Sequence, residues 1–445
     1  MLKEYKKLDS LLNTLQIKIK ELSKKYLSET IEIRRYLHAN PELSFEEYNT
    51  SDYIASKLKE YNIPFTQGIV KTGIVALIQG TKQAPSFKNP LPSSFSFGEG
   101  ARRADEVERA GVRCVAIRAD MDALPITETN DCEYKSKNNG IMHACGHDVH
   151  SASVLGVAKI LNKLKNEFEG TVKIIFQPGE EKLPGGASLM IKEGVLNNPV
   201  PHTMFAQHVF PSMEVGKVGF KSGMYMASTD ELYITVRGKG GHAAMPKEYN
   251  NPLLIASKIL LELSEKFATS LSFLQGEGRG EVVPTVLAFG KIIGNGATNV
   301  IPDEVKIEGT FRTMDEDWRK EAHIKMKKIA EEIAIKMTGT CEFTIENGYP
   351  FLVNDEATTN KAKQAAEEYL GKENVEELPL RMTAEDFSFF SQQVPSCFYR
   401  LGTGNKSKGI TSGVHTSTFD IDEQALEIGV GLMTWLVIKE LNVVK

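Results

Sequence analysis

Nine residues, Met142-His143-Ala144-Cys145-Gly146-His147-Asp148-Val149-His150, set a thiol, three imidazoles and a carboxylate at the head of a run whose apolar members, Val154, Val157, Ala158, Leu161 and Leu164, fall at helical spacing. Any fold that accepts this stretch has to aim a helix N-terminus at a polar centre. Unpaired backbone N–H groups and the positive dipole end favour a thiolate there, so Cys145 is expected to deprotonate more easily than a free cysteine and to ligate a metal beside His147. Two other readings compete: a buried cysteine among surface histidines, and a nucleophilic Cys145 with His147 or His150 as its base. Packing alone gives no reason to gather so many coordinating groups beside a glycine, which favours the metal.

Further donors have to come from elsewhere in the chain. Three strand-like runs end in polar residues: Val115 to Ala119 before Asp120-Met121-Asp122, Val172 to Phe176 before Gln177-Pro178-Gly179-Glu180-Glu181, and Met204 to Ala206 before Gln207-His208. In an open α/β sheet, ligands bind beyond the carboxyl ends of the strands, so these ends are expected to converge on Cys145. Adjacent Glu180 and Glu181 suit hydrolysis at a metal, where one carboxylate holds the ion and the other takes a proton from water. His208 and His415 supply two further imidazoles that position alone does not assign.

At 445 residues the chain exceeds what one core accommodates, and two domains are expected. The formal net charge of −5 is small for that length and gives no sign of a nucleic-acid partner. Five scattered cysteines, Cys114, Cys132, Cys145, Cys341 and Cys397, do not form a disulfide framework, which points to a reducing cytoplasm. The lysine-studded N-terminus lacks the continuous apolar stretch of a signal peptide, and no run is long and apolar enough to span a bilayer, so no membrane partner is expected.

Helices are expected over about Leu8 to Leu37, ending near Asn40-Pro41, and over Tyr48 to Lys59. Residues Thr81 to Gly111, rich in proline, serine and charge, read as a mobile surface insertion. From about Thr229 the pattern becomes strand, helix, strand, strand, helix, strand, the split βαβ arrangement of a compact inserted domain. The expected division is 1–225 with 341–445 for the main domain and 226–340 for the insert.

Several stretches resemble the metallopeptidase-20 amidohydrolases, in particular the branch of hippurate hydrolases, N-acyl-amino-acid amidohydrolases and auxin-conjugate (IAA-amino acid) hydrolases. They are Leu37 to Ser44, Arg118 to Glu128, His143 to His150, Phe176 to Glu181, Gly238 to Pro246, Thr298 to Asp303, Gly309 to Thr313, Met382 to Phe387 and His415 to Glu423. The resemblance implies an α/β, di-zinc exopeptidase-like catalytic domain with an inserted ferredoxin-like α+β lid or dimerisation domain. It implies two divalent ions bound by Cys145, His147, Glu181, His208 and His415, with Glu180 as the general base. Asp122 matches the aspartate that orients a ligand histidine in the wider family's His-x-Asp motif. Asp120 stands where that motif has its histidine, which marks the cysteine-containing branch. In the insert, His242 matches a histidine that reaches a neighbouring subunit and stabilises an oxyanion, while Asn299 and Arg312 match residues that bind the substrate carboxylate. Glu385-Asp386 matches the family without an assigned role.

The expected activity is therefore hydrolysis of the amide of an N-acyl amino acid, by a homodimer joined through the insert. Manganese, zinc, cobalt and nickel all suit the mixed donor set. The alternatives on the same scaffold are a dipeptidase or an N-acetyl-diamino-acid deacetylase, and from another class a catalytically silent homologue that binds such a ligand.

Overall fold

The structure, a computed structural model, describes residues 2–82, 113–267 and 283–442. The expected insertion Thr81 to Gly111 lies outside the described residues from Gln83 onward. Two compact units emerge, Met1–Gly223 with Asn354–Pro379 and Phe390–Lys445, and Met224–Val353 with Leu380–Phe389.

In the first unit, helix α1 (Leu2–Ala39) stops one residue before Asn40-Pro41, because the residue preceding a proline avoids helical backbone angles. Helix α2 (Tyr48–Glu60) starts where the Glu42 carboxylate accepts the Asn49 and Thr50 N–H groups, two of the donors a helix start leaves unpaired. Strands β1 (Phe65–Ile69), β2 (Gly73–Gln79), β3 (Cys114–Asp120), β4 (Thr171–Gln177), β5 (Thr203–Glu214) and β6 (Val218–Phe220) join Val375–Glu377 and Ser396–Gly404 in one eight-stranded sheet. Its order is β1, β2, β4, β3, β5, Ser396–Gly404, β6, Val375–Glu377. The central strands β4, β3, β5 and Ser396–Gly404 run parallel, so their carboxyl ends share one edge.

Buried along their whole length, β3 and β4 have the pattern of parallel strands covered on both faces. The helix His147–Lys163 lies against α1 and Ala425–Leu441, and its Val154, Val157, Ala158 and Leu161, with the cap residue Leu164, are all fully buried with Ile33, Leu37, Val430 and Met433. Each large apolar side chain so buried contributes about 1.5–3 kcal/mol, which makes this helix a rigid support for the residues at its start. Strand β5 corrects the expectation that a strand ends at Ala206. Pairing with Ser396–Gly404 continues through His208 opposite Arg400 to Glu214 opposite Gly404, so His208 sits inside a strand.

The second unit has a four-stranded antiparallel sheet in the order Thr285–Ile293, Glu304–Thr313, Asp230–Arg237, Thr340–Asn347. Two helices, Pro252–Phe267 and Glu316–Lys336, cover its apolar face. In Asp230–Arg237, Leu232, Ile234 and Val236 are buried while Glu231 and Arg237 are exposed, the alternation of a strand with one wet face. Because Thr340–Asn347 pairs with Asp230–Arg237 along its whole length, this unit runs past the expected boundary at 340 to Val353. Among the described residues no helix is long and apolar enough to cross a membrane.

Arg319, on the second helix, holds the fully buried Asp230 from two nitrogens and donates to the carbonyls of Thr229 and Gly348, where the chain enters and leaves the sheet. Burial alone would raise the Asp230 carboxyl, but the hydrogen bonds from His323 and Arg319 outweigh it and hold the group below its ordinary range. Replacing it leaves a buried guanidinium without its partner. Asp230→Asn should cost about 3–5 kcal/mol in urea unfolding above pH ~4. A depressed carboxyl stabilises the fold above its unfolded-state pKa, so the deficit should narrow as the pH falls below that value.

Candidate metal centre

The carboxyl edge of the parallel strands meets the start of the helix His147–Lys163. Gly146 caps that helix with φ +82°, and a Cβ there would come within 2.6 Å of Val209. Only glycine takes this turn readily, and the turn leaves Cys145 and His147 facing one centre. Cys145 Sγ lies 3.5 Å from His208 Nε2 and 3.3 Å from His415 Nε2. The donor atoms of Cys145, His147 and His208 lie within 4.8 Å of one another, as do those of Cys145, Glu181 and His415, and those of His147, Glu180 and Glu181. Cys145, His147 and Glu181 each belong to two of these groups, so the donors outline two adjacent positions that share ligands. All the expected ligands and the expected base meet here.

Two of the three imidazoles are oriented from behind. His147 donates from Nδ1 to Asp122 Oδ1 (3.2 Å), and His208 from Nδ1 to the Val209 carbonyl (2.8 Å). In its neutral form each ring therefore presents Nε2 as an acceptor, the form a metal requires. Asp122 also accepts the Glu181 N–H (3.0 Å) and the Ser44 hydroxyl (2.7 Å), fixing a histidine and a glutamate together. His415 holds φ +60°, and its N–H donates to the Ala144 carbonyl (2.7 Å).

His147 Nε2 is buried without a hydrogen bond, the nearest acidic oxygen being Asp120 Oδ2 at 3.7 Å, and Glu181 Oε1 faces His415 Nε2 at 3.2 Å. An imidazole nitrogen without a hydrogen bond, set among five residues that offer nitrogen, sulfur and oxygen donors, fits a pair of divalent ions. The electrostatics agree. Burial lowers the His147 pKa, yet Asp120 and Asp122 outweigh it and push the group up to about 10. The field that would protonate this ring is the field that attracts a cation.

One expectation is corrected. Cys145 does not deprotonate easily in the metal-free protein: burial and the charges of Glu181, Glu180 and Asp120 drive its pKa well above the ordinary thiol value. The carboxylates outweigh the helix end, and the thiol stands before the cap rather than inside the first turn. This opposes a free thiolate nucleophile; bound cations would reverse the balance.

His150, the third histidine of the motif, has both nitrogens engaged. Nδ1 donates to Asp120 Oδ1 (2.6 Å), and Nε2 accepts the Val209 N–H (3.0 Å). Asp120 Oδ2 takes Arg118 Nη1 (2.6 Å), and Arg118 Nε donates to Gln177 (2.8 Å). This buried chain ties the ends of β3 and β4 to the residue after His208. Sequence reading missed it, although Arg118 and Asp120, two apart on one strand, share a face.

In the second unit His242 and Asn299 are neighbours: His242 pairs with Val300, and the Ala243 N–H donates to the Asn299 carbonyl (3.0 Å). Arg312 is elsewhere. Glu304 pairs with Arg237 beside the His242 loop, whereas Arg312 lies eight residues along the same strand, a separation of about 26 Å. Its guanidinium donates to the Met382 carbonyl (3.2 Å). One chain does not bring Asn299 and Arg312 to a single carboxylate.

Residues 116–439 match peptidase family M20/M25/M40. The chain is 35% identical over 415 residues to thermostable carboxypeptidase 2 of Saccharolobus solfataricus, covering 93% of this chain and 95% of that protein. It is 34% identical over 425 residues to N-acetylcysteine deacetylase of Bacillus subtilis, covering 95% and 99%. The crystal structure of Bacillus subtilis YxeP, a dinuclear metal-binding peptidase of the M20 family, superposes with a TM-score of 0.73 at 30% identity, covering 95% of this chain and 100% of that one.

Asp122→Ala frees the His147 imidazole and the Glu181 backbone at once. Metal affinity should fall about 10–100-fold in a chelator-competition titration, and an unchanged affinity would contradict the role given to Asp122.

Proposed function

The chain belongs to peptidase family M20/M25/M40, and from that premise we propose that it hydrolyses the amide bond of N-acyl amino acids, using Cys145, His147, Glu181, His208 and His415 to hold two divalent ions and Glu180 as general base. It is a metal-dependent amidohydrolase. The observation that carries the residue assignment is the buried His147 Nε2, which makes no hydrogen bond while Glu180 Oε2 and Glu181 Oε1 each stand 4.0 Å from it.

When bound, the two ions would polarise the amide carbonyl and acidify the attacking water. Glu180 takes a proton from that water as its oxygen adds to the carbonyl carbon. The same carboxyl returns the proton to the nitrogen as the C–N bond breaks, giving a carboxylic acid and a free amino acid. His242 is suited to the oxyanion that forms between these steps. Because the Ala244 N–H donates to His242 Nδ1 (3.1 Å), the neutral ring carries its proton on Nε2 and can donate. Arg312, a half-buried guanidinium, suits the carboxylate of the amino-acid half.

A carboxypeptidase and an N-acetyl-amino-acid deacetylase both cleave an amide whose nitrogen belongs to an amino acid with a free carboxylate. That shared feature supports the substrate class; the carboxypeptidase relative favours a peptide bond as the alternative. The separation of His242 and Asn299 from Arg312 supports a homodimer in which each site draws on both chains. Five free cysteines support action in the cytoplasm.

Glu180→Gln should lower kcat at least about 10²-fold while two ions per chain remain bound, measured on hippurate, N-acetyl amino acids and dipeptides; full activity would remove the base assignment. Mixing the inactive Glu180→Gln and His242→Ala chains should restore about a quarter of wild-type turnover, since half the molecules are mixed and each has one intact site. No recovery would contradict sharing across subunits.

A further inference from the structure

The segment Glu42-Leu43-Ser44-Phe45-Glu46-Glu47 carries a carboxylate that the reaction does not use. Glu47 is fully buried, and its partners are neutral donors. Its Oε1 accepts the Phe45 N–H (2.8 Å) and the Gly179 N–H (2.8 Å), and its Oε2 accepts the Thr72 hydroxyl (2.7 Å). Gly179 immediately precedes Glu180.

From this geometry we propose that Glu47 is a positioning residue that sets the placement of the Glu180 carboxylate, a role resting on the assignment of Glu180 as base. The backbone around Glu180 is held at three successive points. The Gly179 N–H donates to Glu47, the Gly179 carbonyl accepts the Gly186 N–H (2.9 Å), and the Glu181 N–H donates to Asp122. Two of these three anchors trace back to residues 44–47, because the Ser44 hydroxyl donates to the same Asp122 oxygen, Oδ2, that accepts the Glu181 N–H. The loop also lies flat on the same segment: a Cβ on Gly179, which has φ +58°, would come within 2.4 Å of the Phe45 ring. Phe45 itself is held at φ +66°, a conformation an aromatic residue keeps only where its surroundings enforce it.

What the loop needs from Glu47 is an acceptor of the right reach, rather than a charge. Glutamine preserves this, since its amide oxygen can accept both N–H groups while its NH2 donates to the Thr72 hydroxyl, which can rotate. Alanine leaves the Gly179 N–H unpaired and the loop free to shift. A displacement of about 1 Å at a reacting group lowers turnover by about 10²-fold.

The test is steady-state kinetics of Glu47→Ala, Glu47→Gln and Glu180→Gln in the intact metal-loaded protein, on whichever N-acyl amino acid it hydrolyses fastest, with metal content measured for each. Glu47→Ala is expected to lose about 10²-fold in kcat with KM within about threefold and two ions bound, and Glu47→Gln to regain kcat to within about threefold of wild type. Wild-type kcat in Glu47→Ala overturns the proposal, as does a loss confined to metal content, or failure of Glu47→Gln to recover. Should Glu47→Ala not fold, Gly179→Ala disturbs the same contact from the loop side, and full kcat there overturns the proposal too. Glu180→Gln judges the base assignment separately: activity there with a defect in Glu47→Ala would show Glu47 acting on something other than the base.

Discussion

Concentrated negative charge at the carboxyl ends of parallel strands is the constraint on which this structure depends. Asp120, Asp122, Glu180 and Glu181 gather around His147 in a space from which water is largely excluded; Arg118 directly pairs with Asp120. Protein without cations carries that repulsion as a raised Cys145 pKa and a His147 driven toward protonation. Divalent ions would relieve it: Cys145 and His147 would then hold them as a thiolate and a neutral imidazole. The same arrangement that is costly when empty is therefore selective for a dense positive charge.

Such a cluster persists because the scaffold behind it is stiff. The helix His147–Lys163 is anchored through an apolar core on one side and through Asp148 on the other, where the fully buried Arg34 donates from Nε (2.8 Å) and His38 pairs from Nδ1 (2.8 Å). The chain from Gln177 through Arg118, Asp120 and His150 to the Val209 backbone keeps the ends of β3 and β4 in fixed relation to the middle of β5. Positive φ at Phe45 and His415 is the local strain this stiffness holds in place, of the order of 1–3 kcal/mol at each residue.

Much of this was legible in the chain. Helices and buried strands declared themselves through their periods, and the donors through a motif dense enough to need explaining. Three features were hidden, each for a physical reason. Pro211 interrupts what would otherwise read as one long strand, so the length of β5 became visible only through pairing with Ser396–Gly404. The acidity of Cys145 was misjudged because the helix start is adjacent in sequence, while the opposing carboxylates come from positions 120, 180 and 181. The part played by His150 depends on an aspartate thirty residues upstream and a backbone N–H fifty-nine residues downstream. Likewise no spacing tells that Asn299 stands beside the His242 loop while Arg312 lies toward the far end of the strand Glu304–Thr313.

The most direct test is an anomalous-scattering map from crystals of the protein loaded with manganese or zinc. Two peaks per chain, sharing Cys145, His147 or Glu181 as neighbours and completed by His208 and His415, are the predicted result. A single ion coordinated by His150 and Asp120, or no ion among these side chains, would contradict the account.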